Sequence, residues 1–244
     1  MAEPEPPSDW ERELKRQIGR RYGAMARDAA FPPGGGDKMR AAGYPGDWVN
    51  GLPDEMAASY SGCGFPFAGL DALIARRVVD LGCGAGLDAL YLAGRHVGIG
   101  MILGIDLAPD MVARAAAAAA RMSEPKIKFM ASDLERLPLE SGSADLVVAN
   151  ASLNLAADKG RALDEIFRIL EPGGRLIARD LVRAGPLPAE ILTDPQSYNT
   201  SLGGVPEESD MLDALASAGF HGATIQDHTE FSVVYSVAIR AEKP

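Results

Sequence analysis

The chain has 244 residues, 47% of them apolar, with 34 acidic against 24 basic side chains and a net charge of −10. That length suits one α/β domain with an added N-terminal segment, and the acidic balance argues against nucleic acid or an anionic membrane as partner. Two cysteines, Cys63 and Cys83, make no disulfide framework, and no apolar leader or long apolar run is present, so a cytoplasmic setting is expected.

Residues 1–7 are rich in Pro and Glu and are expected to be a disordered tail. Ser8 is an N-cap candidate, and apolar or aromatic positions at Trp10, Leu14, Ile18 and Tyr22 predict a helix after it. Phe31-Pro32-Pro33-Gly34-Gly35-Gly36 should break that helix, a short helix is expected near 53–60, and a tight turn at Ser61-Gly62-Cys63-Gly64-Phe65-Pro66. Residues 8–70 thus read as an N-terminal helical lid, and 71–244 as the main domain. Strand-like runs near 76–81, 101–106, 127–131, 144–149 and 174–181 alternate with helical patterns near 86–95, 109–122 and 159–170. Such alternation predicts a parallel sheet covered on both faces. The run Ala115 to Ala120 is a helix interior, not a linker. A helix near 207–218 and two strands near 222–228 and 231–240, forming an antiparallel edge hairpin, would complete a mostly parallel, doubly wound seven-stranded sheet.

The most informative stretch is Asp80-Leu81-Gly82-Cys83-Gly84-Ala85-Gly86, between Val78-Val79 and a helical pattern. A strand entering a glycine-rich turn and then a helix lets backbone N–H groups meet a ligand. The dinucleotide fingerprint needs its third glycine one residue later, and a carboxylate at Asp80 would repel pyrophosphate but attract an amine or a sulfonium. Asp106 closes the next strand, where a carboxylate can accept from both ribose hydroxyls; Asp133 follows the third, where it can accept from an adenine amino group. At this point a nicotinamide oxidoreductase remains the competing class.

Asp80 to Gly86, Asp106, Asp133 and the later Glu171-Pro172-Gly173-Gly174-Arg175-Leu176, in that order and spacing, resemble the class I methyltransferases. The resemblance implies a Rossmann-like methyltransferase fold and S-adenosylmethionine as cofactor, with S-adenosylhomocysteine as product. Asp80, Gly82, Gly84, Gly86, Asp106, Leu107, Met111, Asp133, Leu134, Asn150 and Tyr22 form the expected cofactor set.

Further segments narrow the likeness. Tyr22-Gly23-Ala24-Met25-Ala26-Arg27, the Ser61 to Pro66 turn, and Asn150-Ala151-Ser152-Leu153-Asn154-Leu155 with Asp158-Lys159 are similar to the arsenite methyltransferases, from about Tyr22 to Phe220. That family holds soft trivalent arsenic on converging thiolates. Here Ala151 and Ser201 stand where the family supplies cysteines, Phe31-Pro32-Pro33 stands near the place of its N-terminal pair, and only Cys63 remains. The fold and cofactor are therefore expected to carry over, and thiolate capture of arsenite is not. The expected activity is in-line methyl transfer to a small-molecule acceptor; an arsenic–thiol adduct as acceptor, or a non-catalytic relative that keeps the pocket, are the alternatives.

Such a transfer needs alignment and exclusion of water, and a base only where the acceptor loses a proton. Asn150, Tyr22 and Cys63 are the catalytic candidates, with Tyr44 and Tyr60 as other tyrosines the lid would bring to the mouth. Against these stand plain readings: Tyr22 as a rim residue, Asn150 as a turn partner, Cys63 as a small buried filler. Ser152 and Asn154 read as structural. His96, His221 and His228 have no metal-ligand spacing; His96 reads as a helix C-terminal residue favoured by the dipole, and His228 is a weak base candidate. No metal is expected, and the state is monomer or homodimer.

Overall fold

A computed structural model describes residues 8–27, 34–70, 73–96, 98–188, 196–200 and 202–244. The expectations for the 1–7 tail, for Phe31-Pro32-Pro33 and for Ser201 lie outside them. Among the described residues, no helix is long and apolar enough to cross a membrane.

Helix α1 (Asp9–Arg27) begins with a reciprocal cap. Ser8 Oγ accepts from the Glu11 N–H at 3.2 Å, and the Glu11 carboxylate accepts from the Ser8 N–H. Helix α1 ends at Arg27, before the segment expected to break it, and the glycines of that segment also open a second helix, α2 (Gly35–Ala41). Gly34 takes φ +94°, and a Cβ on Gly35 would lie 2.3 Å from the Ala58 Cα. Glycine serves here because the start of α2 lies directly on the backbone of Ala57 and Ala58. Two more short helices follow, α3 (Gly46–Asn50) and α4 (Asp54–Ala57).

The rest follows the expected alternation: β1 (Ala75–Leu81), α5 (Leu87–Arg95), β2 (Ile99–Asp106), α6 (Pro109–Arg121), β3 (Ile127–Ala131), β4 (Ala144–Asn150), α7 (Lys159–Ile169), β5 (Leu170–Val182), α8 (Glu208–Ser217), β6 (His221–Phe231) and β7 (Val234–Glu242). The seven strands form one sheet in the order β3-β2-β1-β4-β5-β7-β6, parallel except for β7, which runs antiparallel to both β5 and β6. The last two strands are thus a hairpin whose return strand, β7, is inserted beside β5.

Period-two alternation sorts the strands' apolar residues onto two faces. Val78, Leu146 and Val148 pack with α5 and α6 residues, whereas Val79, Leu81, Val147 and Ala149 pack with α7 and α8. Ala115, Ala118 and Ala119 are the buried side of α6, small enough to seat it closely on the sheet. The first face also takes in Met39, Tyr44, Trp48, Val49 and Phe67. Tyr91 of α5 stacks on Phe67 at 5.5 Å and meets Trp48 edge-on at 5.1 Å. Each such pair contributes about 0.5–1.5 kcal/mol beyond burial. Residues 35–70 therefore share the domain's core, while α1 lies apart, against α6 and the turn at 197–200.

Candidate active site

Parallel strands β1, β2, β3 and β4 bring their carboxyl ends to one edge, with Asp80 level with Gly104 and Val148, and Asp106 level with Ala131. There the glycine turn runs from β1 to α5. Gly82 and Gly84 have φ of +67° and +51°. An added Cβ at Gly84 would meet nothing nearer than Ser61 Oγ at 3.9 Å, so bare backbone faces open space. The Asp106 carboxylate organises the turn from β2. It accepts from the Gly84 N–H at 2.9 Å and from the Ala108 N–H at 2.8 Å.

The cleft above this turn is lined by Gly82, Gly84, Asp106, Leu107, Asp133, Leu134, Asn150 and Tyr22 from the expected set. Three expected residues lie off its wall. Met111, in the first turn of α6, is buried. Gly86 is the cap of α5, packed so closely that a Cβ would lie 3.0 Å from the Phe129 ring. Asp80 is buried behind the turn at 2% exposure.

Burial also sets the chemistry of Asp80. Burial, then the neighbouring Asp88 carboxylate, push its carboxyl well above the usual range, although it accepts from the Ala89 N–H. Its Oδ2 has no hydrogen-bond partner among the described residues. Asp88 is better supported: its two oxygens accept from Tyr44 Oη at 2.6 Å and from Asn150 Nδ2 at 2.9 Å. Its carboxyl rises to about 6, with burial the cause and those two donors opposing it. Of this buried pair, Asp88 has two side-chain donors that favour its charge and Asp80 only a backbone one, so burial weighs more heavily on Asp80. Asp80, expected to face the sulfonium, lies behind the turn and off the wall of this cleft.

Asn150 is neither a free ligand nor the cap of its own turn. Its Nδ2 has Gly64 O at 2.9 Å, Asp88 at 2.9 Å and Tyr44 Oη at 3.2 Å as acceptors, while its Oδ1 accepts from the Cys63 N–H at 3.1 Å. It ties the Ser61 to Pro66 turn onto the end of β4 and leaves one edge on the cleft. Tyr44 is buried in the aromatic core rather than at the mouth, and Tyr60 donates to Gly64 O at 3.2 Å. Ser152 donates to Leu81 O at 2.7 Å, a structural role. The Asp180 carboxylate accepts from the Leu153 and Asn154 N–H groups and so shapes the segment after β4.

Sequence reasoning missed Lys15, Ile18, Ser61 and Glu135 on the cleft wall. Lys15 Nζ donates to Asp133 Oδ2 at 2.6 Å and to Glu135 Oε2 at 2.7 Å, binding α1 across the opening. A signal for Lys15 existed: it lies three residues before Ile18 and seven before Tyr22, on one face of α1.

A second cleft of about 930 Å³ adjoins the first, and Tyr22 and Ser61 line both. Cys63 lines it but is buried. Its thiol donates to Arg179 O at 3.3 Å, and burial pushes its pKa up, against thiolate character. Leu181, Val205, Val234 and Ala151 pack around it. Elsewhere, His96 does cap α5, but burial lowers its pKa, so it is a neutral acceptor for the Leu73 N–H rather than a charge on the dipole. His228 bonds Glu208 at 2.7 Å, in a surface groove apart from both clefts. No cluster of metal-ligating side chains occurs among the described residues.

Strand order, a bare-backbone glycine turn and acidic strand ends on one edge define a Rossmann-like nucleotide-binding domain of the methyltransferase type. The family described as "Methyltransferase domain" matches residues 75–224, and the chain belongs to it, as a class I S-adenosylmethionine-dependent methyltransferase related to the arsenite methyltransferases. It is 32% identical to the arsenite methyltransferase of Halobacterium salinarum over 83% of this chain and 55% of that one. To the human arsenite methyltransferase it is 30% identical, over 79% and 54%. The chain thus spans about half the length of these relatives. The crystal structure of CrArsM, an arsenic(III) S-adenosylmethionine methyltransferase from Chlamydomonas reinhardtii, superimposes with a TM-score of 0.68 at 26% identity, covering 87% of this chain and 74% of that one. Haemonchus contortus phosphoethanolamine N-methyltransferase 2 shares the fold, with a TM-score of 0.63 at 16% identity, over 99% and 61%. S-adenosylmethionine is the cofactor that membership of this family brings, and the nicotinamide alternative falls away.

Proposed function

We propose that the chain transfers the methyl group of S-adenosylmethionine to a small-molecule acceptor, and that it does not capture arsenite on its own thiolates. The observation that carries this reading is the meeting of two clefts at Tyr22 and Ser61, one over the glycine turn and the other over Cys63. Gly82 and Gly84 offer backbone to the cofactor, Asp106 and Asp133 offer acceptors to its polar groups, and Leu107 and Leu134 offer apolar contact. The bound cofactor supplies a methyl group already activated by its sulfonium.

The protein's own work is then orientation and dryness. Helix α1, held by Lys15, covers one side of the opening; the Ser61 to Pro66 turn, held by Asn150, forms the other. No side chain is assigned as a base, since Cys63 is a neutral thiol and Asn150 does not titrate. The chain has only two cysteines, and Cys83 belongs to the glycine turn, so a three-thiolate arsenic site has no ligand set. Ala151 packs beside Cys63 where a second thiolate would be needed.

A second reading is an arsenic–thiol adduct as acceptor, favoured by Cys63 on the wall of the second cleft and by the arsenite methyltransferase relatives. A mass-spectrometric screen separates the readings. It incubates the protein with S-adenosylmethionine and arsenite with or without glutathione, selenite, thiols or small phenols. S-adenosylhomocysteine and a methylated product are expected with an organic acceptor. Turnover only with arsenite plus glutathione establishes the second reading; turnover with arsenite alone overturns the thiolate argument. Tight cofactor binding with no turnover on any acceptor leaves the protein a non-catalytic relative.

A further inference from the structure

The floor of the second cleft carries a cation that the cofactor site does not use. Arg179 lies on β5, level with Asn150, and is only 6% exposed. A guanidinium has five N–H donors. Nε donates to Ser236 Oγ at 2.8 Å; Nη2 donates to Asp227 O and Thr229 Oγ1, both at 2.9 Å, with Ser236 O at 3.3 Å. These contacts use three donors. The two N–H groups of Nη1 have no protein partner among the described residues, and no carboxylate there forms an ion pair with Arg179. Nη1 is not sealed off, for it is absent from the buried unpartnered atoms, and the residue lines the cleft.

The surroundings hold the guanidinium in place. An added Cβ on Gly64 would lie 2.4 Å from Arg179 Nε, so the turn that carries Cys63 lies directly over the side chain. Ser236, Thr229 and the Asp227 carbonyl fix its other edge. A buried charge without a counter-ion is costly, and a fixed donor pair facing a cleft is suited to an anion supplied from outside. Arg21 and Lys38 also border the cleft, against Asp227 and Glu230, whose side chains are on the exposed hairpin. Three cations against two rim carboxylates match a single negative charge better than a dianion.

We propose that the second cleft takes an acceptor bearing a carboxylate, held by Nη1 of Arg179, with the methyl-accepting part of the same molecule directed toward Tyr22 and Ser61. This rests on the methyltransferase reading and adds the substrate class to it.

The test is calorimetric and uses the full chain loaded with S-adenosylhomocysteine. The probes are 3-mercaptopropionate and 4-hydroxybenzoate, each against its amide. At least one acid is expected to bind about tenfold or more tighter than its amide, the low end for a hydrogen bond to a charged group. Arg179→Met should erase that difference while S-adenosylhomocysteine affinity stays the same. Acids that bind no tighter than amides, or a preference that survives in Arg179→Met, overturn the proposal. Where thermal unfolding shows that Arg179→Met does not fold, the wild-type acid–amide comparison decides. Failure to bind S-adenosylhomocysteine at all would instead sink the methyltransferase reading.

Discussion

The carboxylate of Asp106, at the end of β2, accepts a hydrogen bond from the backbone N–H of Gly84, in the turn after β1, at 2.9 Å. One side chain thus shapes the glycine turn and also lines the cleft above it. Asp106→Ala is expected to reduce S-adenosylmethionine affinity by about 1.5–3 kcal/mol, the range for hydrogen bonds to a charged group, and to lower stability by loosening the turn. Calorimetry and urea unfolding read the two effects separately. A loss of affinity below about 0.3 kcal/mol, within ordinary surface-mutation noise, removes Asp106 from the cofactor set.

Gly84→Val places a branched side chain in the space that bare backbone leaves open, at a φ of +51° that β-branched residues avoid. Cofactor binding should disappear in calorimetry, while the circular-dichroism spectrum keeps its native shape. Strain should lower stability by about 1–3 kcal/mol. Unchanged cofactor affinity would show that the ligand does not lie against this turn.

Lys15 is the bridge between α1 and the strand ends. Its partners Asp133 and Glu135 have side chains 32% and 3% exposed, so the pair with Glu135 is the drier one. Their hydrogen bonds raise the Lys15 pKa against the lowering effect of burial. Lys15→Met should weaken α1 docking by about 1–3 kcal/mol, less than the loss for a fully buried pair because Asp133 is partly solvated and Arg161 stands 3.6 Å from Glu135. Hydrogen exchange along α1 should quicken by about tenfold or more, with the sheet unaffected. Equal protection of α1 in both proteins would count against the bridge.

The Asp88 carboxyl should titrate near pH 6 rather than 3.8, because burial disfavours its charge. Between those values the native protein keeps a proton that the unfolded chain has released. This group's contribution to stability is therefore full below about 3.8 and is lost as pH rises through about 6. Carbon-13 NMR of the labelled carboxyl gives the midpoint. Tyr44→Phe removes the donor on Oδ1, which favours the charged form, and should move the midpoint up; a midpoint at or below 4 in the wild type contradicts the assignment.

Much of the fold was legible because the central strands are largely buried on both faces and bounded by turn residues, so Val78-Val79 or Val147-Val148 announce themselves as continuous apolar runs. The hairpin was legible, but its placement, with β7 between β5 and β6, follows from sheet pairing. Helix α2 was not legible, because the glycines that permit close approach to α4 look the same as glycines that break a helix. On the cleft, Gly82, Gly84, Asp106 and Asp133 were readable as strand-end residues of a known pattern. Lys15, Glu135 and Arg179 were not, since a charged side chain in a sequence carries no mark of what lies across from it.

The sequence by itself determined the parallel α/β plan, the glycine turn with its acidic neighbours, and a count of two cysteines. These depend on local pattern and on counting, and need no knowledge of distant contacts. Only the tertiary structure decided that Asp80 is a buried acid, that Asn150 is a tie for the Cys63 turn, and that Arg179 faces a cleft with two donors to spare. Each of those depends on burial and on partners far away in the chain, and it is desolvation and pairing, rather than residue type, that set whether such a group is charged, satisfied or open to a ligand.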